Sequence, residues 1–409
     1  MNTFAERYVK LVLKLGLYDP DYVDAYYGPN EWKPAGDDAL KKDQFPSQAF
    51  DDEVRQLLDM HRLIDVSQMS PIEKLRHGSM SKQLIAVQAK IFLLSGGKLS
   101  FDEESQRMYD AVVPTYSEDH YKTLLNNLGT LLPGVGSVSE RLESYKRSFI
   151  IPKEKLDQVF KAAIAEGRKR TMMHIALPSN ESFTVEYVNN KPWSGYNWYK
   201  GDSYSVIQVN IDLPIFIDRA VDLACHEGYP GHHVYNLLME KNLVRERHWM
   251  EFSVYPLFSP QSLIAEGSAN FGIEVALPGE ERGYFERDVL FPLAGLDHRR
   301  AEEYYRIQAL KAKLDYAGNE AARNFLDGKW KREDAVQWLI MYALFAPERA
   351  EQRLRFIERY RSYVINYNLG QDIVRVFIER RGGTVNNSSL RWKIFEELLS
   401  DPHTPSGLQ

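Results

Sequence analysis

Apolar residues recur at intervals of three and four through most of the 409-residue chain, and helix-boundary signals bracket many of these runs. Ser70-Pro71 with Glu73 forms a capping box ahead of Ile72–Leu94, and Gly96-Gly97 ends that run. Similar runs predict helices at about 101–111, 117–129, 139–149 and 153–170, and again at about 281–316, 332–346, 348–381 and 389–400. Alternation with a period of two is confined to one region. Phe183–Val188 and Ser205–Asn210 are rich in Val, Ile and Tyr, with the turn-prone Lys200-Gly201-Asp202 between them. The pattern predicts a mainly α protein with a small antiparallel sheet.

No repeat, low-complexity segment or linker divides the chain. It therefore reads as one helical body, with an N-terminal part at about 1–175, a central part with the sheet at about 176–280 and a C-terminal part at about 281–409. Leu131–Glu140 has the glycines of a phosphate loop but not its Lys-Ser/Thr ending or a preceding strand, so it predicts a turn with a Ser137–Glu140 capping box. The net charge of −6 and the scatter of Lys and Arg argue against nucleic acid as a partner. Met1–Leu17 interleaves charged residues with apolar ones, so neither a signal peptide nor a membrane span is expected. The single cysteine, Cys225, excludes an intrachain disulfide and fits a reducing, cytoplasmic location.

The candidate chemistry is concentrated in His226-Glu227-Gly228-Tyr229-Pro230-Gly231-His232-His233. A His followed by a Glu is the front half of a zinc-peptidase helix, in which the imidazole binds metal and the carboxylate activates water. The second His normally follows four residues after the first. Here an undistorted helix would put His232 about 240° around the axis and about 9 Å along it, and His233 about 10.5 Å along it. Pro230 must break the hydrogen-bond ladder, and Gly228 and Gly231 permit the unusual dihedrals of a bulge. Either histidine could return to the first by that route, or both could simply begin a new surface helix.

A second segment adds to the first. Ser259-Pro260 predicts the start of a helix over Gln261–Leu277, apolar except for Glu266, Asn270 and Glu274 at four-residue spacing. That stripe is either a solvated edge or the source of a third ligand, Glu266. Two His and one Glu, with water in the fourth position, make an open catalytic zinc site.

These two motifs, the second continuing Glu266-Gly267-Ser268-Ala269-Asn270-Phe271, resemble a bacterial family of unknown function with an HEGxPGHH helix and a later EGWALY-like helix. That family is similar in fold to the carboxypeptidase Taq metallocarboxypeptidases and, more remotely, to thimet-type oligopeptidases. HExGH in those enzymes and HExxGH in dipeptidyl peptidase III make HExxxGH here look like the next member of a series. The resemblance implies His226, His232 and Glu266 as ligands of Zn2+, with His233 beside them, and an elongated zincin-like helical body. It covers about residues 180–275, with a weaker match from Glu358-Arg359-Tyr360 to Gly370. Ser268 stands where the family often has Trp, and a Pro-Gly-Gln-Ala run is missing.

On this reading the protein hydrolyses peptide bonds in short peptides, as a carboxypeptidase or oligopeptidase. Glu227 is the general base, and Tyr367 stabilises the oxyanion, with Tyr363 as runner-up. Asp222, one turn before His226, is a candidate to orient its free ring nitrogen. The strand Tyr204–Asn210 is a candidate edge for an extended substrate, with Trp193, Tyr196, Trp198 and Tyr199 near it. A peptide substrate is the expected partner, with neither nucleic acid nor membrane, and a homodimer stays open. Arg349, Arg353, Arg359 and Arg375 are unranked candidates to hold a terminal carboxylate. The alternatives are a hydrolase of another amide or ester, and a non-catalytic helical protein with a structural metal.

Overall fold

The computed structural model describes residues 2–34 and 45–409. It is 65% helix and 8% strand, a mainly α architecture. The capping signals lie where the sequence puts them. Ser70 and Glu73 cap the helix Pro71–Leu94, and Ser137 and Glu140 cap Val138–Lys146, so the glycine-rich stretch before it is a turn. Helices Asn2–Leu15, Ser47–Arg62 and Ala317–Leu326 add to those expected.

Two long predicted helices are broken. The run at 281–316 stops at Ala294, where Gly295 takes a left-handed conformation, and restarts through Asp297, whose side chain caps the next turn. The run at 348–381 divides into Pro347–Tyr360 and Ile365–Arg380. Arg361 at the break has φ 53°, and its guanidinium lies 2.7 Å from Glu104, which also accepts from the hydroxyl of Ser362 at 2.6 Å. This buried knot fixes a short turn over Arg361–Val364 that carries Tyr363 and leads directly to Tyr367.

The sheet differs from expectation. It has three strands, β2 (Ser182–Val188), β3 (Gly195–Gly201) and β4 (Tyr204–Asn210), in the order β2-β4-β3. β2 runs parallel to β4, and only β3 is antiparallel to it, so the sheet is mixed rather than antiparallel. A two-residue turn, Asp202-Ser203, joins β3 to β4 with both residues at positive φ (54° and 62°), the geometry that matches strand twist. Tyr204–Asn210 is thus the central strand and not an edge; the edges are β2 and β3. A second, two-stranded sheet pairs β1 (Val23–Tyr26) with β5 (Val254–Pro256).

The helix Pro260–Ala276 runs through the core with nearly every residue buried. It crosses Ile365–Arg380 at Gly267 and Gly370, where a Cβ on Gly267 would lie 2.3 Å from the Gly370 backbone. Contact that close, open only to glycine, brings Glu266 against Tyr363 of the turn that precedes Ile365–Arg380.

Candidate metal centre

The segment around His226 is a bulge followed by a break. A π-helical turn spans Ala224–Gly228, Tyr229 is extended, and a new helix starts at His232. Gly231 makes the reversal feasible, since a Cβ there would lie 1.9 Å from the carbonyl oxygen of His226. The result brings Nε2 of His232 to 3.1 Å from Nε2 of His226, although six residues separate them. His232 does begin a new helix, but it turns inward.

Glu266 completes a triangle. Its Oε2 lies 3.2 Å from the Nε2 of His226 and 3.5 Å from that of His232. Three ligand atoms held about 2.0–2.2 Å from a tetrahedral ion stand about 3.3–3.6 Å apart, close to what is observed. Proton placement points the same way. The amide of Asn270 donates from Nδ2 to the Tyr367 carbonyl at 2.9 Å, so its Oδ1 faces Nδ1 of His226 at 2.9 Å. Nδ1 of His226 therefore carries the proton, and its Nε2 presents a lone pair to the centre. Glu266 Oε2 is buried with no hydrogen-bond partner among the described residues. Burial alone would raise its carboxyl, but the two histidines hold it well below the ordinary carboxylate range. That lowering comes from protonated imidazoles; once the histidines are neutral, the carboxylate and the Nε2 lone pair of His226 face each other, an arrangement that a cation relieves.

The supports around the triangle are specific. Tyr363 donates to Glu266 Oε1 at 2.6 Å, so it orients the carboxylate and is not free to meet a substrate. Asp222 does not touch His226; it pairs with Arg219 at 3.0 Å and Arg282 at 2.8 Å. Asn270 takes the orienting part instead, and its place four residues after Glu266 was the available signal. Asn270→Ala is expected to weaken metal affinity by about 10–100-fold while leaving the helix intact, read by competition with a chelating dye. Unchanged affinity would remove Asn270 from the centre.

His233 is fully buried and faces away, between Ser205 Oγ at 2.8 Å and Glu181 Oε2 at 3.3 Å. Glu181 also accepts from Tyr229 at 2.6 Å and Arg168 at 2.9 Å. Burial would raise its carboxyl, yet His233, Tyr229 and Arg168 together lower it to about 2. A folded value below the unfolded one means the stabilisation is present above about pH 4.5 and is lost as pH falls toward 2, on the order of 3 kcal/mol in all. Denaturant titrations at stepped pH should show that loss, and Glu181→Gln should flatten it. Cys225 is buried, which pushes its thiol up to about 12 and leaves it a packing residue.

Glu227 lies beside the triangle, 4% exposed. With no cation present, burial pushes its carboxyl up to about 7, Glu266 and Asp24 adding to the shift and His232 and Arg219 opposing it. Gly195 on β3 leaves room for it, since a Cβ there would stand 2.8 Å from Glu227 Oε1. The backbone of Glu227 is tied to the same strand by Asn197, whose Nδ2 donates to its carbonyl at 2.7 Å. Edge strand β3, not β4, therefore runs past the candidate base. Its sequence Gly-Tyr-Asn-Trp-Tyr-Lys-Gly lacks aliphatic alternation, which is why periodicity misses it.

Tyr367 is half-buried, with its phenol raised first by burial and then by Glu266 and Glu227, so the ring lies in the field of both carboxylates. Tyr196 of β3 donates to Asp24 of β1, a carboxylate that sequence reasoning passed over. Burial raises Asp24 to about 6, with His232 and Glu266 both acting on it. Trp193 and Trp198 pack on Tyr196, with centroids at 5.4 Å and 4.6 Å. Tyr199 instead donates to Glu240 at 2.6 Å and takes no part in the centre.

No family model matches the chain, and no curated protein matches it. Among solved structures it is similar to a candidate lipoprotein from Colwellia psychrerythraea, with a TM-score of 0.55 and 16% identity over 88% of this chain. This chain spans 65% of the length of that one. A candidate lipoprotein of unknown function from Shewanella oneidensis matches with a TM-score of 0.48 and 13% identity, over 88% of this chain and 72% of its own. The first likeness is one of fold alone.

Proposed function

We propose that the protein is a zinc-dependent hydrolase of peptide bonds in short peptides. The observation that carries this reading is the convergence of His226 Nε2, His232 Nε2 and the unpartnered Glu266 Oε2, with the buried carboxyl of Glu227 alongside. Two imidazoles and one carboxylate are the donor set of open zinc sites, and a bound ion there supplies Lewis acidity and lowers the pKa of water.

The residues around the centre then divide the work. Glu227, next in sequence to His226 and withdrawn from solvent, takes the proton from the attacking water and returns it to the departing amine. Tyr363 and Asn270 hold Glu266 and His226 in register. Tyr367 offers a phenol to the developing oxyanion. Its replacement by Phe is expected to cost about 10²–10³ in kcat with little change in KM, measured on a peptide the parent cleaves. A variant with full kcat would leave Tyr367 as packing.

Edge strand β3 passes Glu227 with one side unpaired in its sheet among the described residues, so an extended peptide can add to it by backbone hydrogen bonds. The direct test is metal analysis of the purified chain, followed by a screen of short peptides with and without chelator. Stoichiometric zinc with chelator-sensitive cleavage supports the proposal. A zinc-loaded chain that cleaves no peptide but turns over another amide or ester would replace peptides with that substrate.

A further inference from the structure

Charged side chains near the centre are mostly paired within the fold. Arg359 is held by both oxygens of Asp21 at 2.6 Å, Arg375 by Glu274 at 2.6 Å and Asp372 at 2.7 Å, and Asp222 by Arg219 and Arg282. Asp24 is not. Its carboxylate accepts one hydrogen bond, from the hydroxyl of Tyr196, and makes no ion pair among the described residues. Lys200 contributes only its field, since its ammonium lies over the Trp198 ring, 5.4 Å from the centroid.

The fold ties this carboxylate to the candidate centre from two sides. Asp24 falls at a β-bulge, where the register of β1 against β5 slips between Val23 and Ala25. A bulge re-aims a side chain that regular alternation would send elsewhere. The next residue, Ala25, pairs with Tyr255, whose hydroxyl lies 3.0 Å from that of Ser262, one turn before Glu266 on the core helix. On the other side, Tyr196 follows Gly195, the residue that leaves room for Glu227 Oε1. Asp24 is thus bound to the helix of Glu266 and to the strand that passes Glu227, and it lies in the field of His232 and Glu266. It stands outside the triangle itself, whose ligand atoms all lie within 4.8 Å of one another.

The chemistry left open at Asp24 is that of a cation. A half-buried carboxylate with a single donor keeps unfilled acceptor positions. The charge count agrees with this. A bound dication with Glu266 and Glu227 sums to zero, and Asp24 leaves one negative charge over. A primary ammonium supplies the opposite charge and three donors. Trp193 and Trp198, packed on Tyr196 with centroids at 5.4 Å and 4.6 Å, add aromatic faces of the kind that attract cations.

We infer that Asp24 forms an ammonium subsite that holds the free α-amino group of a peptide, with Tyr196 as its positioning residue, so that bonds near the N-terminus are presented to Glu227. The inference rests on the peptidase reading for the bond that is cut, but not for the cation that is held. A lysine side chain carries the same ammonium, so the test separates the two sources.

Three probes serve: alanyl-alaninamide, propionyl-alaninamide, which is the same chain without its amine, and N-acetyl-lysyl-alaninamide. None has a terminal carboxylate. Binding is measured by calorimetry to the zinc-loaded Glu227→Gln protein, then again after chelation. Alanyl-alaninamide should bind about tenfold or more tightly than the propionyl probe. The preference should survive chelation, disappear in Asp24→Asn and return in part in Asp24→Glu. The asparagine keeps an oxygen for the Tyr196 hydroxyl, so its melting temperature should stay near that of the parent. Tyr196→Phe, which leaves the charge but not its orientation, should weaken the preference. Equal binding of the alanyl and propionyl probes overturns the inference, and so does a preference that Asp24→Asn retains. A preference that vanishes on chelation also overturns it, since the amine would then have been on the metal. Tight, Asp24-dependent binding of the lysyl probe alone would overturn the terminal assignment and give the subsite to a side chain. A parent that cleaves peptides without this preference refutes the subsite alone. A parent that cleaves none but keeps the preference refutes the peptidase reading alone.

Discussion

Glu227→Gln is expected to slow peptide hydrolysis by about 10²–10⁴-fold while the chain still binds one zinc. The amide keeps the size of the side chain but cannot accept a proton from water. The three converging ligand atoms belong to His226, His232 and Glu266, so the substitution leaves them in place. It also exchanges a buried carboxyl, pushed up to about 7, for a neutral group in the same space. Thermal stability should therefore hold or rise slightly, because a group that resists ionisation in the fold loses little on becoming neutral. This combination separates a base from a structural residue, whose replacement would lower stability and activity together. Full activity in Glu227→Gln, on a peptide that His226→Ala cannot cleave, would remove the general-base assignment.

The parts of this picture that were legible in the sequence are those set by local chemistry. Pro230 between two glycines announces a break, and Ser70, Ser137 and Pro260 announce helix starts, because each acts on its own backbone. That a break could return His232 to His226 was readable, but which histidine would return was not. The choice depends on Ser205 and Glu181, which capture His233 from other elements. Glu266 was legible as a polar position on an apolar helix. Its support by Tyr363 was not, since that depends on a turn fixed by Glu104, more than 250 residues earlier. The same reason hid Asp24, which reaches the centre through the pairing of β1 with β5, a long-range contact with no local signature. The arginines could not be ranked from composition, because only the partners of Arg359 and Arg375 show which ones are already neutralised.

Exchanging Glu266 for Gln should change stability in opposite directions with and without metal. In the metal-free chain with both histidines neutral, Oε2 of Glu266 faces the lone pair of His226 Nε2 without a hydrogen bond among the described residues. A glutamine that keeps its oxygen toward Tyr363 would place an NH₂ there, a donor facing that lone pair. Satisfying a buried polar group is worth about 1–3 kcal/mol, so at alkaline pH the metal-free variant should be as stable as the parent or more so; at acid pH, where protonated histidines hold the carboxylate, it should be less stable. At alkaline pH zinc reverses the order. A ligand that binds only the folded state stabilises by RT ln(1 + [L]/Kd), about 4 kcal/mol at a thousandfold excess over Kd. The parent should gain this and the variant should gain little, because a neutral amide is a poor substitute for a carboxylate on zinc. Melting curves of the two proteins, each with chelator and with excess zinc, should therefore cross. His233→Ala is the control, because it removes the buried partner of Glu181 and should lower both curves while leaving the zinc shift in place. Parallel curves for Glu266→Gln and the parent, with zinc bound to both, would mean that the ion sits elsewhere and that the triangle is only a buried polar cluster.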